Sequence, residues 1–328
     1  MKEKWIKIAA AGGGTIILAT LLGLFFLARL FAAPGGENTE AERFIIPLLE
    51  NTADIENNLF TAGFIKSKWA FNLALSFRGG KIGAGGYKIA KSMGVWQMAG
   101  ILAGEPYMKW VIIPEGLRKE EIAEVLAKNL GWSEAEKEEW INKDTAEKAG
   151  YTEGVYFPET YLIPTDETPA DTAKRLIAKF EEKFAPYAKE AAARNIKWTT
   201  VVKIASLIQR EAADLSDMPL VSGIIWNRLL SDMKLDLDST LQYARGNTGK
   251  GWWAPISAAD KNIDSPFNTY KRKGLPPAPI DNPGKAAIAA AVNPEKTDCF
   301  YYLHDSDGNI HCAATYKEHQ NNINKYLK

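Results

Sequence analysis

From Ile8 to Ala28 the chain reads IAAAGGGTIILATLLGLFFLA, 21 consecutive residues without a charge. At 1.5 Å per residue, a helix of that length crosses a hydrocarbon layer of roughly 30 Å. Lys2, Lys4 and Lys7 precede the run and Arg29 follows it. That balance favours an amino terminus in the cytoplasm and everything beyond residue 33 outside it. The run is longer than the apolar part of a cleaved signal, about 7–15 residues, and no good A-x-A site follows. An uncleaved single-span anchor over residues 1–33 is therefore expected, with a short polar linker at 34–41. The bulk of the chain is expected on the extracytoplasmic side of the cell membrane.

The rest is large enough to fold by itself. With 328 residues, 46% of them hydrophobic, the chain can bury one or two cores without metal or disulfide support. Forty basic residues balance forty acidic ones, which argues against nucleic acid as a partner. The two cysteines, Cys299 and Cys312, form no C-x-x-C pair and stand beside no histidine at ligand spacing, so no metal is expected. They flank Asp305-Ser306-Asp307-Gly308, a turn signal between two strand-like runs. The register places them diagonally, which leaves a disulfide open. His304, His311 and His319 all fall near the end of the chain, and no nucleophile elbow accompanies them, so triad hydrolysis is unsupported.

Patterning predicts an α+β chain. The glycines between Gly79 and Gly86 read as hairpin turns rather than as a phosphate-cradling loop. Trp110 to Ile113 reads as a strand. After the turn Pro114-Glu115-Gly116, Ile122, Val125, Leu126 and Leu130 repeat at helical spacing. Glu115 is expected to serve the amino terminus of that helix. Amphipathic helices follow at about 170–194, 198–213 and 218–231, and Cys299 to Leu303 reads as a strand. Residues 42–150 thus form a membrane-proximal region containing a small α+β module, and residues 151–328 a mixed helical and β domain.

One carboxylate breaks the pattern of its helix. In 198–213, Val201, Ile204, Ala205, Ile208 and Ala212 make an apolar stripe, with Lys203 and Arg210 on the other side. Glu211 lies three residues beyond Ile208, four beyond Leu207 and seven beyond Ile204, within the stripe. A carboxylate placed there is at least partly desolvated, which favours the protonated form that an acid catalyst needs. Pairing with Arg210 or Arg228 is the alternative role for it.

At this helix the chain resembles the YceG-like (MltG) family of endolytic murein transglycosylases. Ala205-Ser206-Leu207-Ile208-Gln209-Arg210-Glu211 is similar to the family's A-S-I-[IV]-E-[KR]-E, with Gln209 in place of the first glutamate. Ile113-Pro114-Glu115-Gly116 resembles the opening of a LysM-like subdomain. The segment from Glu153 to Tyr161 resembles E-G-x-x-x-P-[DE]-T-Y, and Asn227-Arg228-Leu229 resembles N-R-L. Asp238, Thr240 and Tyr243 fit L-Q-[ST]-D-P-T-x-x-Y, with Asp236 where Gln is usual and Ser239 replacing Pro. The runs from Ser265 to Tyr270 and from Gly274 to Ile280 are close to S-P-Y-N-T-Y and G-L-P-P-x-P-I. His311, Thr315, Glu318 and His319 fit the terminal motif, in which Cys312-Ala313 replace Phe-Ser.

The resemblance implies a lyase that cuts the MurNAc–GlcNAc bond of glycan strands, leaves 1,6-anhydroMurNAc ends and ends strand elongation, without a cofactor. Glu211 would be the single acid and base. Glu153, Tyr156, Asn227, Arg228, Asp238, Thr240, Tyr243, Ser265, Asn268, Thr269 and Tyr270 would contact substrate. Peptidoglycan, the membrane and peptidoglycan synthases are the implied partners. A membrane-tethered scaffold without activity, or a hydrolytic muramidase pairing Asp238 with Glu211, are the competing readings.

Overall fold

The computed structural model describes residues 2–35, 40–146 and 152–327, with side chains from residue 16 onward. The chain forms two compact units, residues 1–110 with 162–166, and residues 111–161 with 167–328.

The first unit opens with helix α1 (Lys2–Phe31). From Ile16 to Leu30 its large apolar side chains are exposed. Its last residue, Phe31, stacks on Trp96 with ring centres 5.8 Å apart. Among the described residues no helix is long and apolar enough to cross a membrane. The side chains of Ile8 to Thr15, the first part of the expected span, lie outside the described residues, as do residues 36–39 of the linker.

Strand β1 (Glu42–Ile46), helices α2 (Thr52–Thr61) and α3 (Lys68–Ser76), strand β2 (Gly85–Ile89) and helix α4 (Val95–Leu102) complete most of the first unit. Asn51 and Ser67 accept hydrogen bonds from the backbone of Asp54 and Ala70, capping α2 and α3. β1 pairs antiparallel with β2, from Glu42 opposite Ile89 to Ile46 opposite Gly85. Two helices separate these strands, so the glycines from Gly79 to Gly86 join a helix to a strand instead of turning a hairpin. Gly85 must remain glycine: a Cβ there would lie 2.6 Å from the carbonyl oxygen of Met108. Ile55, Leu59, Phe71, Leu75, Tyr87, Met98 and Leu102 form the core of this unit. The sheet continues through β3 (Met108–Ile112) and β4 (Thr160–Pro164) in the order β1-β2-β3-β4, and the chain passes from one unit to the other within these two strands.

The second unit holds the remaining elements. They are α5 (Lys119–Leu130), α6 (Glu134–Glu139), α7 (Pro169–Ala193), α8 (Trp198–Glu211), α9 (Met218–Leu230), α10 (Asp238–Arg245), α11 (Lys285–Val292), the hairpin β5 (Tyr301–His304) and β6 (Ile310–Ala313), and α12 (Tyr316–Tyr326). Thr168 caps α7 with Pro169 at its first position, and Thr315 with Glu318 forms a capping box on α12. The hairpin closes around the expected turn, and Cys299 is joined to Cys312 by a disulfide across it.

Helix α8 is the centre of this unit and packs against α11, α9, α7 and α10. Val201, Val202, Ile204, Ala205, Leu207 and Ile208 are all at most 1% exposed. Its polar side is covered as well: Ser206 donates to the carbonyl of Lys203 and accepts from the backbone of Ile280. Arg210, expected on the side away from the apolar stripe, lies 3.9 Å from the ring centre of Trp253. The loops after α10 wrap the side of the helix that periodicity alone leaves open.

Candidate active site

α8 stops at Glu211, and Ala212 turns to extended backbone, so the carboxylate emerges where the helix ends. It is half-buried. Ser239 Oγ donates to Glu211 Oε1 at 2.6 Å, and the Tyr302 hydroxyl donates to Oε2 at 2.7 Å. Among the described residues no lysine or arginine forms an ion pair with it. Arg210 is held on Trp253, and Arg228 is spent on the carbonyls of Phe300 and Leu235, each at 2.6 Å. The pairing role is thereby excluded. Hydroxyl partners can donate or accept, so they serve the carboxyl group in either protonation state.

Glu211 opens into a cavity of about 490 Å³ whose walls include Arg228, Asp236, Asp238, Lys261, Tyr270, Tyr301, Tyr302, Tyr316 and His319. The Tyr270 hydroxyl donates to Asp238 at 2.5 Å, and Lys261 lies 4.5 Å from the Tyr270 ring centre. Burial pushes the Tyr302 phenol well above its ordinary range, and Glu211 pushes it further, so Tyr302 keeps its proton. Burial lowers the His319 imidazole, and Arg228 adds to the effect. His319 stacks on Tyr301 as a wall group.

The substrate residues expected from the sequence separate into groups. Arg228, Asp238 and Tyr270 line the cavity with Glu211. Thr240, Asn268 and Thr269 are buried and build its frame. Thr240 and Thr269 join their hydroxyls at 2.9 Å, Leu237 donates its N–H to Thr269 Oγ1 at 3.0 Å, and Asn268 bonds the carbonyls of Lys261 and Ile263. Ser265 accepts from the backbone of Phe267 in the same turn. These bonds tie the start of α10 to the 265–270 turn and so place Asp238, Ser239 and Tyr270. Asn227 donates to the carbonyls of Thr297 and Cys299, fixing the approach to β5 and hence Tyr302.

Glu153, Tyr156 and Tyr243 do not line the cavity. Glu153, 1% exposed, accepts from the backbone of Lys119 at 3.1 Å and from Asn282 Nδ2 at 2.6 Å. It therefore serves the amino terminus of α5, the task expected of Glu115. The Glu115 carboxylate lies instead against Gly284, at the start of α11, where a Cβ would meet it at 1.9 Å. Tyr156 donates its N–H to Asn282 Oδ1 at 2.8 Å, and Tyr243 packs under the Arg118 guanidinium, 4.1 Å from the ring centre.

Burial pushes the Glu153 carboxyl up to about 8 from about 4.5. A raised folded value favours the neutral form, so this contribution to stability is complete below about 4.5 and is lost as pH climbs to about 8. Unfolding measured across that window is expected to show a loss of a few kcal/mol, at most about 1.4 kcal/mol per pH unit from this group. Glu153→Gln should flatten the slope, leaving the share due to Asp281, whose carboxyl burial also raises. An unchanged slope would remove Glu153 from the account.

Ser239 and Tyr302 are the partners of Glu211 that the sequence reading did not assign. Ser239 stood out as a departure from the motif at its position. Tyr302 lay in an aromatic strand whose facing no local pattern reveals.

A family model described as the YceG-like family matches residues 44–325. A Streptococcus pneumoniae serotype 2 (strain D39 / NCTC 7466) protein named endolytic murein transglycosylase is 28% identical over 317 residues, covering 86% of this chain and 58% of the relative. A Bacillus subtilis (strain 168) protein of the same name is 29% identical over 305 residues, covering 86% and 84%. This chain therefore spans only a little over half the length of the pneumococcal relative. A crystal structure of a YceG-like protein from Listeria monocytogenes aligns with a TM-score of 0.58 and 25% identity, covering 87% of this chain and 99% of that one.

Proposed function

The chain belongs to the YceG-like family, and from that premise we propose that it is a lytic transglycosylase acting within peptidoglycan glycan strands. The observation that carries the reading is a carboxyl group with no cationic partner among the described residues, held by two hydroxyls at the end of a buried helix and open to a cavity walled by tyrosines. Glu211 gives its proton to the oxygen between MurNAc C1 and GlcNAc as that C1–O bond breaks. The resulting carboxylate takes the proton of the C6 hydroxyl on the same MurNAc, whose oxygen closes onto C1. The products are a GlcNAc hydroxyl end and a 1,6-anhydroMurNAc end, and no water is consumed. One carboxyl group serves both steps in sequence.

Ser239 and Tyr302 hold the rotamer of Glu211, while the rings of Tyr270, Tyr301 and Tyr316 offer apolar faces with polar tips to sugar. Tyr302→Phe is expected to lower kcat by roughly tenfold to a hundredfold with little change in KM, because misplacing an acid costs rate and not affinity. Ser239→Ala should do the same to a smaller degree. A pure KM effect would assign these hydroxyls to substrate binding.

The reading includes a membrane anchor at α1, supported by the apolar side chains exposed from Ile16 to Leu30 and by the uncharged sequence that precedes them. The Cys299–Cys312 disulfide fits the oxidising side of that membrane. A LysM-like module within 42–150 gripping glycan, action on strands still being made, and company with peptidoglycan synthases complete the proposal. Incubating the full chain with purified sacculi and reading new ends by mass spectrometry tests it. Anhydro ends support lytic cleavage. Reducing ends would replace it with hydrolysis, and no new ends with a silent scaffold.

A further inference from the structure

A second cavity, about 500 Å³, lies on another face of α9. Gly223, Trp226, Asn227 and Leu230 stand at positions i, i+3, i+4 and i+7 of that helix and share one side. Arg228, about 100° further round, faces the Glu211 cavity. The opposite wall is the segment 294–298, which runs on within a few residues into Tyr301 and Tyr302. Two features hold that wall in place. A Cβ on Gly223 would lie 2.3 Å from the carbonyl oxygen of Glu295, so only glycine admits the approach, and Asn227 bonds the carbonyls of Thr297 and Cys299.

The lining has a definite chemistry. The Trp226 indole N–H is spent on the carbonyl of Ala291 at 3.0 Å, leaving the ring as an apolar surface. Leu230 is 81% exposed beside it, and Pro294 extends the apolar floor. Arg194 is already engaged with the carbonyl of Val292 and with Glu190. Around the rim, Glu295, Lys296 and Asp298 make no ion pair or side-chain hydrogen bond among the described residues. An apolar floor ringed by unpaired charges of both signs is poorly matched to bare glycan, whose only charges are lactyl carboxylates, all of one sign. It matches a short peptide that carries carboxylate and ammonium groups together.

The geometry points to this cavity as the binding site for the peptide stem borne by a muramyl residue next to the bond being cut. The inference rests on the transglycosylase reading and extends it, making the substrate a stem-bearing strand. Helix α9 walls both cavities, and the segment 294–298 of the second leads directly into Tyr301 and Tyr302 of the first, so a strand seated against Glu211 would present its neighbouring stem to the second.

Two measurements on the full chain test it, each with the double variant Leu230→Glu, Lys296→Glu, which alters exposed rim groups away from Glu211. The first titrates the synthetic pentapeptide L-Ala-γ-D-Glu-L-Lys-D-Ala-D-Ala in a calorimeter. The second compares kcat/KM on glycan strands with stems and on the same strands stripped by an amidase. The parent chain is expected to bind the pentapeptide saturably, and the double variant to bind it about tenfold more weakly or worse, as loss of a charge-assisted contact predicts. Cleavage of stem-bearing strands should fall by a similar factor, with stripped strands cut as before. No binding to the parent chain, equal binding to the variant, or an equal loss on both glycans overturns the assignment. Variant-sensitive peptide binding in a parent chain that cuts neither glycan would support the peptide site and sink the transglycosylase reading instead.

Discussion

Glu211→Gln is expected to reduce release of anhydro-ended fragments from sacculi by about 10³-fold or more, with unfolding stability within about 1 kcal/mol of the parent chain. Glutamine keeps the size of the side chain and can still accept a hydrogen bond from Ser239 or Tyr302, so the fold has little reason to change. It can neither give a proton to the glycosidic oxygen nor take one from the C6 hydroxyl, so both halves of the reaction lose their agent. The measurement is fragment release from sacculi alongside a thermal melt. Activity above about a tenth of the parent value, in a folded variant, would take Glu211 out of the mechanism.

The second large effect is on folding. Gly154 has φ +82°, and a Cβ there would lie 2.7 Å from both Val202 Cγ1 and Pro279 Cγ. Gly154→Ala therefore incurs the left-handed backbone penalty, about 1–2 kcal/mol, together with an overpacking cost of about 1–3 kcal/mol. A loss of roughly 2–5 kcal/mol is expected, visible as a clear fall in unfolding temperature. Because Val202 belongs to α8, the strain is delivered to the helix that carries Glu211. A variant that melts with the parent chain would show that the neighbouring segments yield freely.

Helices were the most legible part of the sequence, because burial on one side writes a 3.6-residue period that survives in a single chain. The expected helices near 170–194, 198–213 and 218–231 are observed as α7, α8 and α9, shifted by no more than two residues at either end. What periodicity could not supply was the packing around them. Arg210 follows the rule for an outward charge and is nevertheless seated on Trp253, because loops distant in sequence cover that side. Glu153 and Tyr243 sit within recognisable motifs, yet they hold α5 and Arg118 in place rather than facing the cavity. A motif records that a residue matters to the assembled unit without saying whether it touches a ligand. The disulfide was undecidable for a related reason: a diagonal register is compatible with a bond only when the turn brings the two Cα atoms close, here 5.8 Å.

The bond from Tyr302 to Glu211 spans 91 residues of chain, and Tyr316 and His319 lie further on still. A ribosome makes α8 long before it makes any of these. Until the final stretch has been translated and folded back, the acid stands beside an unfinished wall. On the proposed reading, competence to cut is thus tied to completion: a polypeptide stalled or clipped shortly after residue 300 would keep α1 and Glu211 yet hold no working blade.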